Sequence, residues 1–201
     1  MRTRVAAGRN EASPRDRVLA AAMEIIVEQG LDKLRLAEIS RRTKMSTGHV
    51  LYYFGTKDRI LVETLTWAEA GVAERRREGI SAAAPGWDQL EVFIEHYLPR
   101  DANDPVWALW VEMWALRHSD DRHTTALQET AREWQRDLEA LIRRGREAGV
   151  FTGGEGTFAV RLAALMNGFA VQVLERTRDL DEVIDLVLEQ CRLELSIRQE
   201  T

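Results

Sequence analysis

The sequence predicts an all-α protein in which a small N-terminal three-helix unit precedes a larger C-terminal helical domain. Apolar residues recur at three- and four-residue spacings over most of the chain, as they do along the buried stripe of a helix. Glycine and proline fall at the edges of these segments, for example at Pro14, Gly30, Gly55 and Pro105. No stretch shows the sustained alternation that is typical of a half-buried strand.

Length and composition are those of a globular protein of one or two domains. The chain has 201 residues, of which 45% are hydrophobic and 30% are charged. The most apolar segment, Phe158–Leu174, is interrupted by Arg161 and two amides, so we expect no membrane span. The single cysteine, Cys191, and an N-terminus without a signal-like apolar run favour a cytoplasmic location.

Charge is divided unevenly along the chain. Residues 1–60 contain 12 Lys and Arg against 7 Asp and Glu, whereas residues 61–201 contain 16 against 26. A basic front on an acidic body is the charge pattern of a nucleic-acid-binding unit attached to a body that stays away from the phosphates. We therefore expect the N-terminal part to contact double-stranded DNA.

Three regions are expected along the chain. Residues 1–12 form a flexible basic arm with three arginines, which is either a disordered tail or a segment that enters a DNA minor groove. Residues 13–56 form a helix-turn-helix DNA-binding domain. Residues 57–201 form a helical domain for ligand binding and dimerisation.

Capping residues mark the helix boundaries of the N-terminal part. Ser13 is the predicted N-cap of a first helix that Gly30 ends. Short helices are expected over 36–43 and 47–53, separated by a tight turn, and Ser46 caps the second of them. A long fourth helix follows.

The third helix of this unit carries the side chains expected of a helix that reads the DNA major groove. That groove is ~12 Å wide and admits one helix, whose N-terminal residues face the base edges. Hydroxyl, imidazole and phenol groups, a glycine and a lysine at a helix start can contact bases and phosphates. The candidate DNA-binding residues are Thr47, Gly48, His49, Tyr52, Tyr53 and Lys57. The alternative is a core turn that carries surface aromatics.

The segment from Leu36 to Leu61 carries a recognisable pattern. It contains Leu-Ala-Glu-Ile-Ser at 36–40, Met-Ser-Thr-Gly-His-Val-Leu-Tyr-Tyr-Phe-Gly-Thr-Lys-Asp at 45–58, and Ile-Leu at 60–61. This pattern resembles the DNA-binding domain of the tetracycline-repressor (TetR) family. Its Ser-Thr-Gly-His and Phe-Gly-Thr-Lys-Asp portions resemble the branch that contains the choline-responsive betaine-pathway regulator.

The resemblance implies a homodimeric transcriptional regulator, usually a repressor that a small-molecule effector releases from a palindromic operator. Three positions depart from the family pattern. Arg35 stands where the family usually has a Thr or Ser helix cap, and Ser40 replaces the usual Ala. Leu51 stands where a Tyr often contacts the DNA backbone, so one phosphate contact is expected to be missing.

The last two predicted helices, over 157–176 and 181–197, are the expected dimer contact. Each has an apolar stripe, and Gly168 permits close approach of a neighbouring helix. A two-fold dimer doubles the base contacts and sets two half-sites ~34–36 Å apart, or a multiple of that distance. The alternative is that both stripes only close the core of one chain.

The predicted helix over 106–118 carries three tryptophans on one face. This helix is apolar almost all round, which predicts burial, and at ~100° per residue its tryptophans fall within a ~60° arc. Three indoles on one face can cage a quaternary ammonium or a flat aromatic ligand, whereas Glu112 lies on the opposite side. The alternative is that these side chains are core packing. The candidate ligand-binding residues are Tyr97, Trp107, Trp110, Trp114, Trp134, Met166 and Phe169.

Two charged segments are expected to be solvated rather than functional. Arg75-Arg76-Arg77 is expected to lie near a helix C-terminus, and the His- and Asp-containing segment 118–123 is expected to be a loop rather than a metal site. No nucleophile–base pair or phosphate loop is present, so we expect neither an enzyme nor a cofactor. The alternative function is a helical small-molecule-binding or scaffold protein that does not act on DNA.

Overall fold

The computed structural model describes residues 13–116, 121–154 and 156–195. These residues form nine α-helices: α1 (Pro14–Gln29), α2 (Leu36–Thr43), α3 (Thr47–Phe54), α4 (Lys57–Ala82), α5 (Trp87–Tyr97), α6 (Pro105–Leu116), α7 (Asp121–Glu147), α8 (Phe158–Leu174) and α9 (Leu180–Leu195). One 3-10 turn, Leu31–Lys33, follows α1. The described ranges contain no strand, so the predicted all-α fold is confirmed. None of these helices combines the length and apolar character that a bilayer crossing requires.

The chain divides into two compact units, Met1–Thr64 and Leu65–Thr201. Helix α4 begins at Lys57, the first residue of the expected C-terminal domain, and the two compact units divide within this helix after its second turn. The first two turns of α4 belong to the N-terminal unit, where Glu63 forms an ion pair with Arg15 of α1. The start of a helix is therefore a different position from the boundary between the compact units.

Side-chain caps fix the helix starts of the N-terminal unit. Ser13 Oγ accepts a hydrogen bond from the backbone N–H of Asp16, and Ser46 Oγ accepts one from that of His49, each at 3.1 Å. Helix α2 follows Arg35, which is extended and makes no side-chain capping bond. The departure at Arg35 therefore leaves this helix start without a side-chain acceptor.

The core of the N-terminal unit is formed by the inward faces of α1, α2 and α3. Its fully buried apolar side chains are Val18, Ala22, Ile25, Leu34, Ile39, Val50, Phe54 and Ile60. Helix α3 ends one residue later than predicted, at Phe54, because Gly55 takes a φ of 76° that an L side chain rarely adopts. Val50 and Phe54 point inward, which leaves the opposite face of α3 exposed.

An ion-pair network attaches α2 to α1. Arg42 of α2 lies 2.5 Å from Glu28 of α1 and 3.1 Å from Glu38 on its own helix. Hydrogen bonds from Arg41 and Arg42 lower the pKa of Glu38 to about 2, so its carboxylate stays ionised over the neutral range. This network holds α2, and the turn into α3, in a defined position on α1.

The C-terminal unit is built around a core shared by four helices. Helix α8 packs against α7 and α9, and α5 packs against α7 and α9. The fully buried side chains of this core include Leu90, Phe93, Ile94, Leu138, Met166, Val187 and Cys191. At one end, the backbone N–H groups of Thr152 and Gly153 donate to the carbonyl of Leu195 and satisfy the last turn of α9.

Candidate functional site

The N-terminal half of α3 presents polar and aromatic groups to solvent. Thr47, Gly48, His49 and Tyr52 are exposed, whereas Val50 on the same helix is fully buried. Because Ser46 caps the helix, its first turn is fixed and its side chains project in a defined direction. An exposed helix N-terminus with these side chains has the shape and chemistry that major-groove reading requires.

The aromatic candidates on α3 contact one another. The rings of His49 and Tyr53 lie 5.2 Å apart between centroids, and those of Tyr52 and Tyr53 lie 5.5 Å apart in an edge-on arrangement. Lys57 is half-buried at the first position of α4. Leu51 is half-buried, and the absence of a phosphate contact from this position stays a prediction.

The hydroxyl of Ser40 contacts the start of α3. Its Oγ lies 3.2 Å from Oγ1 of Thr47, a distance at which the two hydroxyls form a hydrogen bond. The alanine that the family pattern usually has at this position could not make this bond. The departure at Ser40 therefore constrains the Thr47 side chain.

A cavity of about 560 Å³ lies within the C-terminal unit. It is lined by side chains of α4, α5, α6, α7 and α8, together with the α5–α6 connection. Five of the seven candidate ligand-binding residues line it: Tyr97, Trp107, Trp110, Trp114 and Trp134. The structure therefore brings together aromatic side chains that are far apart in the sequence.

The aromatic rings of the cavity form a continuous wall. Trp114 lies 6.1 Å from Trp107 and 6.2 Å from Trp110 between ring centroids. Tyr97 lies 6.4 Å from Trp107 and 5.0 Å from Trp134, both edge-on. Edge-on contacts of this kind fix the orientations of the rings that line the cavity.

Helix α6 is less buried than predicted. Val111 and Trp114 are both exposed, whereas Trp107, Leu109 and Met113 are buried. Its apolar composition therefore does not mean burial on all sides. Trp114 combines a position in the cavity wall with access to solvent.

Met166 and Phe169 do not line this cavity, so their assignment as ligand-binding residues stays a prediction. Asn167 and Ala163 are the residues of α8 that face it, whereas Met166 is fully buried and Phe169 is half-buried. At about 100° per residue, Met166 points about 100° and Phe169 about 160° away from Asn167 around the helix. The apolar pattern of α8 does not reveal which side faces the cavity.

Glu69 is the central polar residue of the cavity, and it is not among the residues that the sequence predicts to bind the ligand. Only 7% of the residue is exposed, and both of its carboxylate oxygens accept a hydrogen bond from an indole N–H. Trp110 Nε1 donates to one oxygen at 2.5 Å, and Trp134 Nε1 donates to the other at 2.9 Å. A local signal did exist, because Glu69 interrupts the apolar stripe of α4 between Leu65 and Val72.

Burial raises the pKa of Glu69 above its ordinary value. The two indole hydrogen bonds and the positive charge of Arg76 act in the opposite direction, and the charge of Asp104 adds to the increase. A carboxylate in this setting lacks the hydration it would have in water. It therefore gains from a cation that enters the cavity.

Arg76 is buried, which corrects the expectation of a solvated arginine run. Helix α4 continues to Ala82, so the run is not at its C-terminus, and only 2% of the Arg76 side chain is exposed. Its guanidinium pairs with Asp137 of α7 and lies 3.7 Å from the ring centroid of Trp134. This cation occupies a π face of Trp134, so Trp134 acts on the cavity chiefly through its N–H bond to Glu69.

Asp104 positions the start of α6 and thereby the first tryptophan of the cavity. Its Oδ1 accepts the backbone N–H groups of Val106 and Trp107, and its Oδ2 accepts from the backbone and side chain of Arg100. The indole of Trp107 donates in turn to the carbonyl of Tyr97 at 3.1 Å. Asp104 is therefore a helix cap that accepts four hydrogen bonds, whereas Glu69 accepts two.

A neutral polar pair lies beside the aromatic wall. Tyr97 Oη donates a hydrogen bond of 3.0 Å to Oδ1 of Asn167 on α8. Burial raises the pKa of Tyr97 to about 12, so its hydroxyl stays protonated at neutral pH. Both residues line the cavity.

Metal binding has no support among the residues whose side chains are described, since no three His, Cys, Asp or Glu side chains come together there. The 118–123 segment, the alternative metal candidate, lies outside those residues, as does the arginine-containing arm 1–12.

Two family models match the chain. Residues 18–64 match the model described as "Bacterial regulatory proteins, tetR family", and residues 87–195 match "BetI-type transcriptional repressor, C-terminal". The first match covers most of α1, all of α2 and α3, and the first two turns of α4. The second begins at α5 and ends with α9.

Individual proteins are similar over part or most of the chain. The HTH-type transcriptional regulator BetI of Burkholderia mallei is 29% identical over 103 residues, 50% of this chain and 53% of that protein. The chain thus spans about half the length of this curated relative. BetI of Paraburkholderia phymatum is 25% identical over 190 residues, which cover 88% of this chain and 93% of that protein.

Among solved structures, a protein from Saccharomonospora viridis in complex with choline has the same fold. The two superpose with a TM-score of 0.79 at 23% identity, over 92% of this chain and 98% of the other. Because the BetI-type model alone covers residues 87–195, more than half of the sequence, family membership does not depend on this structural likeness. The chain belongs to the tetR family of bacterial regulatory proteins, with a C-terminal part of the BetI type.

Proposed function

We propose that the protein is a cytoplasmic, homodimeric transcriptional repressor that binds a palindromic DNA operator through α3 and leaves it when a quaternary ammonium cation occupies the cavity. The observation that carries the ligand half of this proposal is Glu69, a buried carboxylate surrounded by aromatic rings. The protein acts as a regulator rather than an enzyme.

The chemistry of a quaternary ammonium ion explains why this arrangement suits it. Such an ion carries a positive charge but has no N–H to donate, so it gains from π faces and from a nearby negative charge. The cavity offers both, since Trp107, Trp110 and Trp114 form a wall and Glu69 lies beside it. The choline complex of the Saccharomonospora viridis protein supports the same ligand class.

The DNA half of the proposal is supported by the exposed face of α3. Thr47, Gly48 and His49 are aimed outward at the start of the helix, where base edges are read. Tyr52 and Tyr53 lie further along the helix, within reach of a sugar–phosphate backbone, and Lys57 follows at a helix N-terminus that favours phosphate.

A DNA-binding experiment tests the first half. Purified protein should bind the duplex that flanks its own gene more tightly than scrambled duplex of equal length, and added choline should release it. Lys57→Ala should weaken binding to both duplexes and reduce the salt slope of log K by about one, because one phosphate contact is lost. Absence of DNA binding at low and high salt would instead favour a ligand carrier or scaffold.

A ligand-binding experiment tests the second half. Choline titrated into the protein should change tryptophan fluorescence, and Glu69→Gln should weaken its binding about 30-fold or more, because a buried charge partner is lost. Glu112→Gln on α6 makes the same chemical change outside the cavity lining and serves as the matched control. Equal choline affinities of Glu69→Gln and wild type would overturn the cation site.

A further inference from the structure

We propose that Tyr97 and Asn167 form a second subsite that binds a hydroxyl group of the effector, so that the cavity selects a hydroxyl-bearing quaternary ammonium over one with a purely alkyl or a carboxylate tail. This inference rests on the proposed cation site at Glu69. It adds a second recognition element within the same cavity.

The hydrogen bond between the two side chains fixes what each still offers. Tyr97 Oη gives its proton to Asn167 Oδ1, so the phenol oxygen retains lone pairs that can accept. The Asn167 amide nitrogen keeps its two N–H donors, which have no acceptor among the described residues. The pair thus presents one acceptor and one donor side by side.

A hydroxyl group matches this pair in both directions. Its proton can go to Tyr97 Oη while its oxygen accepts one N–H of the Asn167 amide, so each of the two residues gains a hydrogen-bond partner. An alkyl group would leave the amide unpaired. A carboxylate could accept from Asn167, but it would face the lone pairs of Tyr97 and the negative charge of Glu69.

Tyr97 joins this subsite to the cation site. Its ring lies 5.0 Å from Trp134, the indole that donates to Glu69, and 6.4 Å from Trp107 of the aromatic wall. A ligand whose ammonium and hydroxyl are separated by a short tether can therefore occupy both sites. The cavity of about 560 Å³ has room for it, since pockets of ~300–1,000 Å³ hold ligands larger than a trimethylammonium group.

The experiment compares ligands of matched size on the full-length protein by calorimetry. Choline is compared with propyltrimethylammonium, in which a methyl group replaces the hydroxyl, and with glycine betaine, which ends in a carboxylate. Wild type should bind choline about three- to tenfold more tightly than propyltrimethylammonium, because a hydrogen-bonded hydroxyl is lost, and glycine betaine more weakly still.

Substitutions at Tyr97 and Asn167 test whether these two residues cause the preference for choline. Tyr97→Phe, which keeps the aromatic ring, and Asn167→Leu should each bring the choline-to-propyltrimethylammonium ratio close to one. Gln135→Leu removes another cavity-lining amide, which donates to Glu139, and should keep the wild-type ratio. A ratio that persists in both Tyr97→Phe and Asn167→Leu would overturn the subsite.

The outcomes also separate the two proposals. Equal affinity of wild type for choline and propyltrimethylammonium would reject the hydroxyl subsite and leave the cation site intact. Failure of wild type to bind any of the three ligands would reject the cation site itself. Glu69→Gln should weaken choline and propyltrimethylammonium alike, because both carry the same cation.

Discussion

Glu69 is buried although its ionised carboxylate loses hydration that two indole hydrogen bonds only partly replace. Burial is the largest influence on this group and raises its pKa above the ordinary carboxyl value of ~4.3. The free protein therefore contains a carboxyl group whose ionisation is less favourable than that of an exposed carboxyl group. Ligand binding and proton release from Glu69 are expected to be linked.

Choline affinity should increase with pH as Glu69 of the free protein ionises, because the cation pairs with the carboxylate form. The free energy of unfolding should change in the opposite direction. Because the pKa of Glu69 is higher in the folded chain than in the unfolded chain, this group contributes stability below its unfolded pKa. That contribution is lost as the pH rises through its folded pKa. Measuring choline Kd from about pH 5 to about pH 8 tests the linkage.

Glu69→Gln should flatten this pH dependence. Trp110, Trp134, Arg76 and Asp104 surround the carboxyl, and the indoles do not titrate in this range. His96 also lines the cavity, so His96→Gln is the control and should retain the slope. If Glu69→Gln keeps the pH dependence of choline affinity, a group other than Glu69 must cause it.

Arg76 and Asp137 should respond unequally to substitution, although they form one ion pair. Asp137→Ala leaves a buried guanidinium without its acceptor and should cost about 3–5 kcal/mol. Arg76→Met places an apolar chain of similar size in the same site, and 43% of the Asp137 side chain is exposed, so the cost should be about 1 kcal/mol or less. Urea unfolding of both variants tests this, and equal losses would contradict it.

Individual helices depend on their caps, and α3 is the case that matters for DNA binding. Ser46→Ala removes the acceptor for the His49 N–H and should reduce the free energy of unfolding by about 1 kcal/mol. Ser40→Ala is the matched control, since that hydroxyl contacts Thr47 Oγ1 but caps no helix, and it should change stability by less than about 0.5 kcal/mol. Thermal unfolding compares the two variants, and equal losses would show that the Ser46 cap does not stabilise α3.

The sequence predicted the helices well where capping residues and spacing act locally. Ser13, Gly30 and Ser46 mark ends that the structure places at or within one residue of the expected positions. The 3-10 turn at Leu31–Lys33 was missed because three residues are too short to establish a period. Local signals therefore determine element ends, whereas they say nothing about which helix a side chain will contact.

The cavity was only partly predictable, because its polar contacts join distant residues. The tryptophan spacing of α6 identified three of its aromatic residues from one helix alone. Glu69, in contrast, is bonded by indoles 41 and 65 residues away, and Arg76 pairs with a carboxylate 61 residues away. A charge on an apolar helix face marks such a position, and its partners become known only from the packing of α4 against other helices.

For the whole molecule, the unpaired apolar surface of the last two helices is the feature that a single chain does not explain. Val160 on α8 is 54% exposed and Leu193 on α9 is 70% exposed. They adjoin Arg161 and Glu194, which pair across the two helices, and Gly168 is also exposed. A second copy packed on this face would bury these side chains, as dimer interfaces of ~800 Å² per partner do.

The combined change Val160→Glu and Leu193→Glu should therefore convert the dimer to a monomer, because an interface would have to bury four uncompensated carboxylates. Sedimentation velocity measures the state directly. Val27→Glu is the control, because Val27 is also apolar and exposed but lies on α1, and this variant should remain dimeric. The monomeric variant should keep its choline affinity, since the cavity lining belongs to one chain, but should lose operator affinity because two half-sites are no longer engaged together. A double variant that stays dimeric would move the interface away from α8 and α9.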